Sequence, residues 1–178
     1  GCTGVTDVTF SSLPKDWGGS LFGGSGVQNI RIMAGGKNLS LPEQFVKDCT
    51  SLVSVRVEGN VQSGSEIVIP DGCFDGCSNL RLFDIVERQS RDAVTEIGAD
   101  SFRGCSSLTS ITIGRKVTQI RKNAFRDCRA LQVVNSYSSA ISGETFADSE
   151  NLCLNYFASK LKPGMFEGFT GLSAFNLY

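Results

Sequence analysis

The sequence predicts a right-handed repeat solenoid, with a parallel β-sheet on the concave side and irregular loops and little helix on the convex side. Three observations predict it. An apolar anchor recurs at Val5, Val27, Leu52, Leu80, Leu108, Leu131, Leu152 and Leu172, with gaps of 22, 25, 28, 28, 23, 21 and 20 residues, in the range of solenoid repeats. A Phe stands six residues before the anchor at Phe74, Phe102, Phe125, Phe146 and Phe166, a place held earlier by Leu21 and Val46. Ile69, Ile97, Ile120, Ile141 and Leu161 each lie five residues before the next Phe, and Leu41 lies five before Val46. A chance apolar pattern would not keep two spacing rules through variable gaps.

Each unit divides in two. From anchor to strand, Leu108, Ile111 and Ile113 alternate with Ser110 and Thr112. Period-two patterning with β-branched residues suits a short strand with its apolar set turned inward. Stacked units make such strands parallel. The second half returns through Ile120 to Phe125, with turn formers such as Asn123-Ala124 and Asp71-Gly72 just before the Phe. No window carries an apolar stripe long enough for an amphipathic helix. The Phe column fills the wide end of the core with one ring per turn. Polar insertions at Glu58–Ser65 and Glu87–Asp92 read as loops. The segment from Leu13 to Leu21, followed by Gly23, Gly24 and Gly26, reads as an irregular return rather than a phosphate loop, which needs a strand before it and a helix after it.

The unit reads Phe-x-x-Cys-x-x-Leu-x-x-Ile-x-Ile, then Ile-x-x-x-x-Phe. It resembles the BspA-like type of leucine-rich repeat, found in surface proteins of bacteria and some protists. The likeness covers almost the whole chain. Ser149 and Phe169 stand where Cys is usual, and Asn155 where an inward apolar residue is usual. Residues 1–178 read as a single leucine-rich repeat array of about eight partial or complete units. The chain starts inside a repeat at Gly1-Cys2 and stops inside a strand at Asn176-Leu177-Tyr178, so the expectation is an interior segment of a longer protein. The resemblance implies an extracellular or cell-surface location.

Composition narrows the function. Net charge is −1 and no basic run is present, which argues against a nucleic-acid partner. No apolar run approaches a transmembrane span. The absence of His removes the commonest base at neutral pH, and no acid, base and nucleophile converge in the pattern. No catalytic, cofactor-binding or metal-binding residue is assigned. Of the seven cysteines, Cys2, Cys49, Cys77, Cys105 and Cys128 share one repeat position and so form one column. Free Cys packs as a small hydrophobe, so the column is expected to be buried thiols rather than a metal or disulfide ladder. Cys73 and Cys153 lie off the column and are the candidates for disulfides or reactive thiols.

What remains is a surface. Outward strand positions fall two and four residues after each anchor. They carry the candidate partner-binding residues Arg31, Arg56, Leu82, Asp84, Val133, Leu154 and Tyr156, with Tyr156 the expected centre because Tyr is enriched at interface hot spots. The expected function is a non-enzymatic scaffold that recognises a protein or glycan on its concave face, in adhesion or another cell-surface interaction. The alternative is a structural repeat of an extracellular assembly, bound to neighbouring copies of itself.

Overall fold

The structure is a computed structural model that describes residues 4–13, 19–35, 38–59, 66–85 and 93–178. Cys2, most of the Leu13–Leu21 segment and the inserted loops at 60–65 and 86–92 lie outside the described residues. In chain order the strands are β1 (Asp7–Phe10), β2 (Asn29–Met33), β3 (Leu39–Ser40), β4 (Ser54–Glu58), β5 (Ile67–Ile69), β6 (Leu82–Ile85), β7 (Val94–Ile97), β8 (Ser110–Ile113), β9 (Gln119–Ile120), β10 (Val133–Ser136), β11 (Leu152–Tyr156) and β12 (Leu172–Leu177). One 3-10 turn, Gly143–Phe146, is the sole helical element among the described residues.

The strands after the anchors form two four-stranded parallel sheets, β1-β2-β4-β6 and β8-β10-β11-β12. Residues two after each anchor stand in line: Asp7, Asn29, Ser54 and Leu82 in the first sheet, Ser110 and Val133 in the second. The return segments add a third parallel sheet, β3-β5-β7-β9. Each turn of chain thus bonds mainly to the turns on either side of it, which is how a solenoid is held together.

Leu52, Leu80, Leu108 and Leu131 are fully buried. Phe74, Phe102, Phe125 and Phe146 are buried and stack at 5.0, 5.1 and 5.1 Å between ring centres. Phe169, not Phe166, continues the stack, 5.7 Å from Phe146. Phe169 occupies the Cys place of its unit, and from there a ring reaches the slot that a thiol leaves to Phe. Phe166 is displaced, 42% exposed, and packs edge-on against Phe175. Leu21 and Leu161 are also exposed rather than in the core; both belong to the outermost described turns, which have a described neighbour on one side only. Ile120 is half-buried because β9 pairs with β7 alone.

The bends need left-handed backbone. Asp48, Gly76, Gly104, Asp127, Asp148 and Gly168, each four residues before its anchor, have φ between 58° and 80°. Gly, Asp and Asn tolerate that region best. Next in line come the column cysteines. The Cys77 thiol donates to the Val46 carbonyl (3.2 Å), Cys105 to Phe74 (3.3 Å) and Cys128 to Phe102 (3.1 Å), each reaching the preceding turn. Asp75, nearly buried, ties three turns by ion pairs to Lys47 (3.2 Å) and Arg103 (3.0 Å).

Candidate functional site

Arg31, Arg56 and Leu82 point outward and are exposed, and Asp84 and Val133 are half-buried on the same face. Leu154 and Tyr156 are not on it. Both are 0% exposed in the core, which corrects the expected location. Val133, two after its anchor, pairs with Cys153, which is one after its anchor. The register of β11 is thus one residue closer to its anchor than that of β10, and a shift of one exchanges the two faces of a strand. Tyr156 therefore lies beside inward Ser136, whose small side chain leaves room for the ring, and its hydroxyl donates to the Lys160 carbonyl. Asn155, expected inward, turns outward instead. It donates to Asn135 and accepts from Asn176, both at 2.9 Å, as the middle of an Asn ladder.

The first sheet presents a polar face. Asn29 donates to Asp7 (3.0 Å) and accepts from Ser54 (2.7 Å). The hydrogen bonds from Thr6 and Asn29 hold the Asp7 carboxyl below its ordinary range. Arg31 pairs with Glu58 at 3.2 Å. Arg56 stands in register between Arg31 and Asp84 and forms no ion pair among the described residues. A shallow depression of about 300 Å³ runs over Asp7, Asn29, Arg31, Ser54 and Arg56.

Between β6 and β8 the main sheet is interrupted. The two strands do not pair, and their Cα atoms stand beyond 8 Å at nearly every position. On the Phe side the turns stay in contact, through Phe74 and Phe102. At this break stands Phe83, three residues after its anchor, where Val8, Ile30, Val55, Ile111 and Val134 stand in other turns and Phe175 in the last. The Phe83 ring lies 5.4 Å from both Phe74 and Phe102. Here the stacked rings tilt to 28°, against 10° and 8° in the next two pairs. The Phe83 ring thus lies between the two turns, at a place where a β-branched residue would fill less space. Beside it lies a cavity of about 230 Å³ lined by outward Leu82, Asp84, Ser110 and Thr112 and floored by core residues such as Ile85, Ile97 and Ile111.

The repeat geometry has a known counterpart. A family model described as BspA type leucine rich repeat region (6 copies) matches residues 1–88 and 67–178. The chain belongs to the BspA-type leucine-rich repeat family. A solved leucine-rich repeat protein from Bacteroides ovatus is similar in structure, with a TM-score of 0.53 at 22% identity over 98% of this chain and 43% of that one. A leucine rich cell surface protein from Faecalibacterium prausnitzii A2-165 is 24% identical over 86% of this chain and 32% of that one, with a TM-score of 0.49. This BspA-type array thus spans less than half the length of either. No curated protein matches it.

In the BspA-type unit the Cys place does structural work. Burial pushes the column thiols up, Cys128 to about 12, so they stay protonated and donate. Cys73 is also fully buried and unpaired, which corrects its expected availability. Cys153 is free and half-buried. No group of three or more metal-ligating side chains gathers among the described residues, and no described helix is long and apolar enough to cross a membrane.

Two features of this BspA-type array escaped the sequence reading. One is Phe83; its size at a Val/Ile place was the available signal. The other is a second aromatic ladder, in which Tyr137 and Phe157 stack at 4.6 Å and Phe157 and Tyr178 at 4.7 Å. Arg115 lies 5.7 Å over the Tyr137 ring. Tyr137 and Tyr178 both lie six residues after an anchor, a regularity that could have exposed the ladder.

Proposed function

We propose that this array is a non-enzymatic scaffold, at the cell surface or outside the cell, that binds a protein partner on the outward face of its main sheet. Leu82 and Asp84 form the centre, with Arg56 and Arg31 on one flank and Val133 on the other. The interruption between β6 and β8 carries this reading. It opens the core at two of the candidate residues, and it offers backbone groups that are unpaired among the described residues and favour a polypeptide ligand. A glycan site is less well supported, because sugar-binding aromatics need open ring faces and Tyr137 and Phe157 here are face-stacked. Leu82 is 37% exposed, an apolar side chain that the core does not require.

The test is parallel selection against a random peptide display library and a glycan array, using the whole chain and its Leu82→Glu and Arg56→Glu variants. Peptide ligands lost by Leu82→Glu support the proposal. Glycan ligands alone would move the reading to carbohydrate recognition. Binding of neither, with self-association in sedimentation, would favour the structural-repeat alternative.

A further inference from the structure

We infer that the gap between β6 and β8 is a slot for one extended peptide strand, bound through backbone hydrogen bonds to both edges, with an apolar side chain at alternate positions. The inference rests on the protein-binding reading above and names the mode and chemistry of the ligand. Three observations lead to it.

The first is the direction of the backbone groups. Leu82 N–H donates to the Val53 carbonyl and so faces β4. Alternation then turns the N–H and C=O of Phe83 and Ile85 into the gap. On the opposite side the carbonyls of Thr109 and Ile113 accept from Val133 and Tyr137 and so face β10. Alternation turns Ser110 and Thr112 into the gap. Both edges therefore present donors and acceptors that no described strand takes up, and an added strand satisfies such an edge.

The second is the floor. The inward residues Ile85 and Ile111 are each 8% exposed, whereas Val57, in register with Ile85, is 1% exposed and Val55 and Val134, at the place of Ile111, are 0% exposed. The gap thus opens onto the apolar interior. A strand lying in it turns alternate side chains down onto Ile85, Ile97 and Ile111 and the others out beside Leu82, Asp84 and Thr112. That pattern selects an alternating apolar and polar peptide.

The third is the ring at the gap. Phe83 lies between the turns on the inside, so the slot is built into the core and does not depend on a ligand to open it.

The experiment uses residue-resolved amide exchange on the whole chain, with a synthetic peptide copying Leu52–Glu58, whose β4 residues pair with β6 in the array itself. In the free chain the amides of Phe83, Ile85, Ser110 and Thr112 exchange fast, while Asp84, bonded toward β4, is protected. The peptide slows those four by about tenfold or more. A copy N-methylated at alternate residues does not. Phe83→Val, which restores the usual residue size, lets β6 and β8 pair, protects the four amides without peptide and abolishes its binding. Slow exchange of the four amides in the free wild-type chain, equal binding of the N-methylated peptide, or undiminished peptide binding by folded Phe83→Val would each overturn the inference. Display-selected peptides that depend on Leu82 yet leave the four amides fast would sink the strand slot and leave the protein-binding reading standing.

Discussion

The Cys128 thiol donates a hydrogen bond across one turn of the array to the Phe102 carbonyl, 3.1 Å away. Its removal leaves that buried carbonyl without its side-chain partner. Cys128→Ala is expected to destabilise by about 2 kcal/mol, read as a lower denaturant midpoint. Site-resolved alkylation should leave Cys49, Cys77, Cys105 and Cys128 unmodified in the native chain and label them on unfolding. Labelling of Cys128 at the unfolded rate would refute its protonated, buried state.

The same burial sets an alkaline limit. Cys128 is pushed up to about 12 from an ordinary 9.0. The folded state holds this proton more tightly than the unfolded chain does. The associated stability is fully present below pH 9.0 and is lost as pH rises toward about 12, at about 1.4 kcal/mol per pH unit for each such thiol. Unfolding free energies measured between pH 8 and pH 11 should fall, and Cys128→Ala should flatten the fall. An identical slope in the variant would count against this assignment.

Phe125 and Phe166 hold the same place in the repeat and should behave oppositely. Phe125→Ala removes a buried ring from the stack and should cost about 3–5 kcal/mol. Phe166 is 42% exposed, so Phe166→Ala should cost about 1 kcal/mol or less. Equal losses in thermal melts would contradict the exchange of roles between Phe166 and Phe169.

Tyr156→Ala is expected to lower stability by about 3–5 kcal/mol, as truncation of a buried aromatic does. A melt within a degree of wild type would return Tyr156 to the surface.

Gly143 has no room for a side chain. A Cβ there would lie 2.0 Å from the Phe169 nitrogen and 2.2 Å from the Glu167 carbonyl oxygen. Gly143→Ala should destabilise by about 2 kcal/mol or more, whereas Gly35→Ala, with open space around it, should be nearly neutral. Comparable midpoints for the two variants would show that the turns can move apart here.

The repeat was legible because its signals are local and redundant. Leu108, Ile111, Ile113 and Phe125 keep fixed spacings, and each is buried where those spacings put it. The failures come from places where one size or one residue decides. Tyr156 was misplaced because β11 pairs one residue closer to its anchor than the other strands do, and the one mark of that in the sequence is Asn155 at a usually apolar, inward place. Phe166 was misplaced because a neighbour, Phe169, competed for its slot. The break at β6 was missed because spacing rules count positions and ignore volume, and Phe83 obeys the spacing while exceeding the space.

The early start of β11 has a consequence for how such a surface evolves. A substitution changes one displayed side chain at a time. Loss of a single codon between an anchor and its strand swaps the displayed set for the hidden one throughout that strand, while the anchor and the ring stack keep their neighbours. The register of β11 has that exchanged arrangement, with Asn155 outward in the Asn ladder and Leu154 and Tyr156 inward. Length variation within a repeat is therefore a rapid route to new surfaces, open wherever the next turn can absorb the shift, as β12 does beside Leu152 and Cys153.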